Sequence, residues 1–154
     1  VHEWEEDDLA GQRGLGVVVL SWQDVEESGW GDNFNVVIHE AAHELDLTDG
    51  QINGRPALHP GMNPAQWHEA FSHAYRHFTT ALHPRARSHA RRTRLDEYGA
   101  ENDVEFFAVV CETFFEQPHT LRAEYPEVYR LLSAFFRQDP ASRLPAAPER
   151  RRRR

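Results

Sequence analysis

The pentapeptide His39-Glu40-Ala41-Ala42-His43 restricts the fold of this chain more than any other feature of its sequence. It lies in a segment with helical periodicity, residues 35–47, which predicts an α-helix. Residues four positions apart on a helix lie about 40° from each other, so the imidazoles of His39 and His43 can reach one cation. Glu40 lies about 100° from His39, where its carboxylate can contact a water molecule on that cation. The pentapeptide therefore predicts a metal site.

The residues around the pentapeptide favour this interpretation over a chance match. Apolar side chains share one face of the predicted helix, whereas the two histidines and Asp46 share another. The alternative is a pair of histidines on the exposed face of an amphipathic helix. Such a pair needs no flanking apolar run, and here residues 36–38 form one.

A catalytic zinc site needs a third protein ligand and an open position, and two residues are candidates for that ligand. Cys111 lies in a wholly apolar stretch, whereas Glu105 shares a narrow polar stripe with Glu112 and Glu116 on a helix predicted over residues 104–116. Carboxylates on a buried helix need partners, because unpaired burial of charge is costly. Glu105 is therefore the better candidate. The alternative is that the stripe faces solvent.

Asp46 and Glu112 have two interpretations each, whereas His73 and His77 lack the glutamate of the HExxH pattern. Asp46 is a candidate acceptor for the ring N–H of a ligand histidine, or a surface acid at the end of the helix. Glu112 is a candidate for the same role, or a polar residue of the core. His73 and His77 are also four positions apart, but no glutamate follows His73, so both are predicted to be surface histidines.

The secondary structure predicted along the chain is mostly helical. Gly16–Trp22 is apolar and β-branched and predicts a strand. Helices are predicted over residues 35–47, 64–83 and 104–116, the last with Asp103 as its N-cap, and over shorter segments that begin at Pro118 and Pro126. We therefore expect an α+β domain, mostly helical with a small N-terminal sheet.

The length of 154 residues suits one domain with its own hydrophobic core. Composition divides the chain into three parts. We expect an acidic N-terminal segment at residues 1–13, a catalytic domain at residues 14–140, and a disordered tail rich in proline, alanine and arginine at residues 141–154.

The balance of acidic and basic residues indicates which classes of macromolecule the chain is expected to bind. The chain has 25 acidic and 17 basic residues, a net charge of −8, which argues against a nucleic-acid-binding protein. Arginines cluster at residues 85–94 and 150–154, so a nucleic-acid-binding protein with a structural metal remains an alternative. No apolar run is long enough to span a membrane. The single cysteine and the absence of a signal-peptide pattern indicate a cytoplasmic protein.

Five segments of the chain carry a resemblance to a known family: GVVVLSWQDV at 16–25, FNVVIHEAAHELD at 34–46, YGA at 98–100, EFFAVVCETFF at 105–115 and QDP at 138–140. They resemble the Mlc titration factor A family of zinc-dependent peptidases, of the gluzincin type. The resemblance covers most of residues 14–140, the family's catalytic portion, without the further N-terminal portion that its members usually carry.

The resemblance implies a zincin-like metallopeptidase domain that holds Zn2+ through His39, His43 and Glu105. It implies that Glu40 is the general base when a zinc-bound water hydrolyses a peptide bond. Tyr98 lies seven residues before Glu105, as does a catalytic tyrosine in similar zinc proteases of the lethal-factor type. Tyr98 is therefore expected to stabilise the oxyanion together with the zinc.

The family also implies what the chain binds. A peptide or protein substrate is expected to pair in extended form with the edge of the strand predicted at residues 16–22, as it does in similar proteases. The family name implies an alternative function: a binding module that sequesters a transcriptional repressor and has little or no peptidase activity.

Overall fold

The computed structural model describes residues 18, 20–28, 33–83 and 93–145 of the chain. The acidic segment predicted at residues 1–13 lies outside the described residues, as do residues 84–92 and 146–154, which hold most of the clustered arginines. The described residues form six α-helices: α1 Trp22–Glu27, α2 Val36–Asp46, α3 Pro64–Leu82, α4 Asp103–Glu116, α5 Pro118–Glu124 and α6 Pro126–Phe136. Short 3-10 helices lie at Leu47–Asp49, Glu97–Ala100 and Pro140–Ser142.

The prediction of an α+β fold with a small N-terminal sheet is wrong, because no residue in the described part of the chain is in a β-strand. Of the predicted strand, Trp22 begins α1, and the side chain of Ser21 caps this helix by accepting a hydrogen bond from the backbone N–H of Asp24. A strand needs a neighbouring strand to pair its backbone groups, and the described residues provide none. Residues 16, 17 and 19 of the predicted strand lie outside the described residues.

The helices predicted from apolar periodicity are confirmed, with one change of cap. Three of them begin at an asparagine whose side-chain oxygen accepts backbone N–H groups of the first turn: Asn35 before α2, Asn63 before α3 and Asn102 before α4. The predicted cap of α4, Asp103, is instead its first residue. The cap at Asn102 also holds the backbone N–H of Glu105 at 2.9 Å.

Helix α4 lies at the centre of the hydrophobic core and packs against α2, α5, α6 and the 3-10 helix at Glu97–Ala100. Aromatic side chains of α3 and α6 pack on it: the ring centroid of Trp67 on α3 lies 6.3 Å from that of Phe107, and the centroid of Phe136 on α6 lies 5.5 Å from that of Phe114. The fully buried large side chains of the core are Trp67, Phe78, Phe106, Phe107, Phe114, Leu121 and Leu132. Among the described helices, none is both long enough and apolar enough to cross a membrane.

The chain beyond α6 packs back onto the helices as far as residue 144. Ala141 is buried, and its backbone N–H donates to the hydroxyl of Tyr129. That hydroxyl in turn donates to Asp139 at 2.5 Å. The Nε2–H of His119 donates to the carbonyl oxygen of Leu144 at 2.7 Å. These contacts hold residues 139–144 against α5 and α6.

Candidate metal centre

Helices α2 and α4 bring together the three residues that the sequence analysis selected as metal ligands. His39 and His43 lie on α2 and Glu105 on the first turn of α4, and one ligand atom from each lies within 4.8 Å of the others. The Oε2 atom of Glu105 lies 3.0 Å from Nε2 of His39 and 3.5 Å from Nε2 of His43. The three side chains are 15–21% exposed, so the cluster opens to solvent on one side.

The N-terminus of α2 is fastened to the C-terminal half of α4. The backbone N–H of Asn35 donates to Oε2 of Glu112 at 2.8 Å, and its side-chain amide donates to Oε1 of Glu116 at 2.9 Å. The sequence analysis did not assign this role to Asn35 or Glu116. The available signal was an asparagine before an apolar helical run, the usual pattern of an N-cap.

Glu112 fixes the orientation of the first histidine. Its Oε1 accepts a hydrogen bond from Nδ1–H of His39 at 2.7 Å. This bond selects the ring orientation in which Nε2 of His39 faces Glu105. Of the two interpretations of Glu112, acceptor for a ligand histidine and polar residue of the core, the geometry supports both, because the side chain is also buried.

Hydrogen bonds within the cluster raise the pKa of His39 and lower the pKa of Glu105. Burial alone would lower the pKa of His39, but hydrogen bonds with Glu105 and Glu112 outweigh it and raise the pKa to about 9. Burial would raise the pKa of Glu105, but the hydrogen bonds with His39 and His43 lower it to about 2. A protonated His39 and an ionised Glu105 are therefore favoured at neutral pH. A cation bound between them would take the place of that proton.

The donor set suits a metal ion that prefers nitrogen and carboxylate ligands. Two imidazole Nε2 atoms and one carboxylate oxygen converge from two helices, and this is the three-ligand set that catalytic zinc sites use. His43 is held less tightly than His39. Its buried Nδ1 has no hydrogen-bond partner among the described residues. The residues present are compatible with a bound metal ion.

Glu40 and Tyr98 lie beside this cluster. Glu40 is half-buried and follows His39 on α2, and the ring of Tyr98 lies 6.0 Å from that of His39. Burial raises the pKa of Tyr98 above its usual value of 10.0, and the negative charges of Glu105, Glu101 and Glu40 add to the shift. The hydroxyl of Tyr98 therefore stays protonated at neutral pH and can donate a hydrogen bond.

The 3-10 helix at Glu97–Ala100 holds Tyr98 at the edge of the site. Its cap is Asp96, whose side chain accepts a hydrogen bond from the backbone N–H of Tyr98 at 2.9 Å. A Cβ on Gly99 would lie 3.2 Å from Cβ of Val109, so the absence of a side chain there lets this helix pack closely on α4. Tyr98 itself is 52% exposed and faces the solvent side of the cluster.

Three other candidates lie apart from the cluster. Cys111 is 1% exposed and is not among the residues whose ligand atoms converge at the cluster. His73 and His77 are both exposed on α3, as predicted for surface histidines. The Nδ1 atom of His77 lies 3.1 Å from the hydroxyl of Tyr125, which donates to it.

Neither interpretation of Asp46 is correct. Its side chain is fully buried, so it is not a surface acid, and it accepts no ring N–H of His39 or His43, whose hydrogen bonds within the described residues do not include it. Its two oxygens instead accept hydrogen bonds from the backbone N–H groups of Asn53, Gly54 and Arg55. Asp46 therefore fastens the loop that follows α2.

The chain is similar in sequence to a known family and to curated proteins. Residues 1–137 match the model of the family described as glucose-regulated metallo-peptidase M90. Two similar proteins are named Mlc titration factor A, one from Yersinia pestis (strain Pestoides F) and one from Yersinia pseudotuberculosis serotype O:1b (strain IP 31758). Each is 38% identical to this chain over 130 residues, which is 84% of this chain and 47% of the relative.

The chain thus spans about half the length of the curated relatives that it matches. The similarity confirms the resemblance drawn from the motifs at residues 16–25, 34–46, 98–100 and 105–115. Because the family model matches all but the last 17 residues of the 154, this chain belongs to the glucose-regulated metallo-peptidase M90 family.

Proposed function

We propose that this chain carries the catalytic centre of a zinc-dependent peptidase, within the unit at residues 14–140. The observation that supports it is the convergence of His39, His43 and Glu105 to within 4.8 Å, with Glu40 on the same helix as the histidines. A chance HExxH pentapeptide has no reason to meet a carboxylate from another helix at this distance. Family membership supports a metallopeptidase-like domain as well.

In this proposal His39, His43 and Glu105 hold Zn2+. When bound, such an ion supplies Lewis-acid activation of a water molecule and of the scissile carbonyl group. Glu112 acts through His39, because its hydrogen bond to Nδ1 keeps the ring in the orientation that presents Nε2.

In this proposal Glu40 transfers the proton and Tyr98 stabilises the developing negative charge. Glu40 accepts a proton from the attacking water and returns it to the leaving amine of the peptide. The hydroxyl of Tyr98 donates a hydrogen bond to the oxygen on which negative charge develops. The raised pKa of Tyr98 favours this role, because a phenolate could not donate. The partly exposed cluster and the exposed ring of Tyr98 suit a peptide or protein substrate that approaches from solvent.

Turnover of a peptide library tests the proposal. We expect cleavage that stops when 1,10-phenanthroline removes the metal and returns when Zn2+ is added back. The cleaved peptides are identified by mass spectrometry, which also gives the position of the cut bond. Cleavage that continues unchanged in the presence of the chelator would show that another site or a contaminant is responsible.

One observation favours a second function. The relatives are named as titration factors of Mlc, so this chain would be a module that binds a transcriptional regulator in the cytoplasm and has little or no peptidase activity. The two functions differ in their dependence on Glu40. Binding of a regulator is expected to survive Glu40→Gln, whereas peptide cleavage is not.

A further inference from the structure

A buried carboxylate closes the loop between α2 and α3. Oδ2 of Asp46 accepts the backbone N–H groups of Asn53 and Gly54 at 2.8 and 2.6 Å, and Oδ1 accepts that of Arg55 at 2.6 Å. Asp46 is 0% exposed, so each bond forms away from solvent. Three convergent donors are what a buried carboxylate needs to offset the loss of its hydration.

The same loop touches the first residue of α4. Gly54 has a φ of +73°, in the left-handed region that favours glycine. A Cβ at this position would lie 2.5 Å from the carbonyl oxygen of Asp103 and 2.9 Å from its carbonyl carbon. The backbone of Gly54 therefore packs directly on the backbone of Asp103, two residues before Glu105.

These contacts join the two helices that carry the cluster. Asp46 is the last residue of α2, three residues after His43. Asp46 accepts a hydrogen bond from the backbone N–H of Gly54, and Gly54 packs on Asp103, the first residue of α4. At the opposite end Asn35 joins the start of α2 to Glu112 and Glu116 on α4. The two helices are thus antiparallel and fastened at both ends.

We propose that Asp46 and Gly54 are positioning residues that set the distance between His43 and Glu105. The proposal rests on the metal centre proposed above and adds two residues to it that touch neither the ion nor the substrate. Metal sites require their ligands within about 0.5 Å of the productive geometry. A Cβ on Gly54 would lie 2.5 Å from the carbonyl oxygen of Asp103, whereas ordinary van der Waals contacts lie at 3.4–4 Å. The backbone would therefore have to shift by more than about 0.5 Å to make room for it. The shift separates the loop from the turn of α4 that carries Glu105.

Two substitutions at opposite ends of this connection test the proposal. Asp46→Asn keeps the shape of the side chain but offers an amide group where one N–H now donates, so at least one of the three bonds is lost. Gly54→Ala keeps Asp46 and pushes the loop away from Asp103. We expect each variant to bind Zn2+ about 10–100-fold more weakly than the unchanged chain, the range found when groups that orient metal ligands are removed. Competition with a chromophoric chelator measures this affinity.

A matched control separates positioning from general stability. Asp139→Asn makes the same change of side chain just beyond the end of α6, where it weakens the hydrogen bond that the Asp139 carboxylate accepts from the hydroxyl of Tyr129 by removing the charge of the acceptor. It is expected to lower Tm while Zn2+ affinity stays unchanged. Co2+ in place of Zn2+ adds a spectroscopic readout. The visible absorption bands report the coordination geometry, and we expect them to change in Asp46→Asn and Gly54→Ala but not in Asp139→Asn.

Each outcome decides between distinct conclusions. Unchanged Zn2+ affinity and an unchanged Co2+ spectrum in Asp46→Asn and Gly54→Ala, with a lowered Tm, would overturn the positioning role and leave these residues as structural only. A variant that folds only with Zn2+ is compared through the Zn2+ concentration that restores its circular dichroism, and a raised concentration supports the proposal. An unchanged chain that binds no Zn2+ would overturn the metal centre itself.

Discussion

Glu105, Glu112 and Glu116 lie along one stripe of α4, yet each has a different role because each meets a different neighbour. Glu105 faces the Nε2 atoms of both histidines. Glu112 accepts from Nδ1–H of His39 and from the backbone of Asn35. Glu116 accepts from the side chain of Asn35. One helix face therefore supplies a candidate ligand, the group that orients another ligand, and the group that fastens the helix bearing both histidines.

The substitution Glu40→Gln separates binding from chemistry. Glutamine keeps the size of the side chain but cannot accept the proton of the attacking water. We expect peptide turnover to fall by about 10²–10⁴-fold, the loss typical of removing general acid–base catalysis. Zinc content is expected to stay at one ion per chain, because Glu40 is outside the cluster of ligand atoms. Steady-state kinetics and metal analysis of the same sample measure both.

Glu44→Gln is the control for that experiment, since it makes the same change of charge one helical turn further along α2. Its turnover is expected to match that of the unchanged chain. Equal turnover in Glu40→Gln and the unchanged chain contradicts the peptidase assignment and favours the regulator-binding function.

Helices α2 and α4 form the framework of the site, and the cap of α2 contributes to it twice. In Asn35→Ala, α2 loses the acceptor for the N–H of Ile38, and Glu116 loses one donor. Loss of an asparagine cap costs about 1 kcal/mol, and loss of a hydrogen bond to a buried carboxylate about 1.5–3 kcal/mol. We therefore expect the free energy of unfolding to fall by about 2–4 kcal/mol, measured by urea denaturation.

Asn63→Ala is the matched substitution on α3. Asn63 caps its helix through Ala65 and Gln66, and it makes no hydrogen bond to a carboxylate within the part of the chain that the structure describes. It is expected to cost about 1 kcal/mol. An equal cost for the two variants would mean that the bond from Asn35 to Glu116 adds nothing to stability.

The described part of the chain is a set of helices around α4, so binding at the cluster links α2 to the core and stabilises the fold as a whole. A ligand at 100 times its dissociation constant adds about 2.7 kcal/mol to the free energy of unfolding. For a domain of this size that raises Tm by about 5–10 °C. We expect Zn2+ to produce this shift in the unchanged chain, as measured by circular dichroism.

His43→Ala is the control, because it removes one of the three ligands while nine other histidines remain in the chain. Zn2+ is expected to leave its Tm nearly unchanged. A shift of the same size in His43→Ala would assign the stabilisation to histidines elsewhere on the surface.

Local patterns were enough to predict the helices and the histidine pair. The caps and apolar periodicity of α2, α3 and α4 act within a few residues, and the spacing of His39 and His43 is set by the geometry of one helix. The cost of burying an unpaired carboxylate was enough to select Glu105 over Cys111. The family could be identified for the same reason, because its motifs are short and continuous in the chain.

Contacts between distant residues could not be read from such patterns. The bonds from His39 to Glu105 and Glu112 join residues 66 and 73 positions apart, and the partner of each carboxylate depends on how α2 and α4 pack. The prediction of a small N-terminal sheet was wrong because β-structure needs a pairing partner as well as β-branched residues, and the described residues provide no such partner. Asp46 was misinterpreted because its partners are backbone N–H groups of a loop, which every residue except proline has. Only the packing of the loop determines which backbone N–H groups reach Asp46.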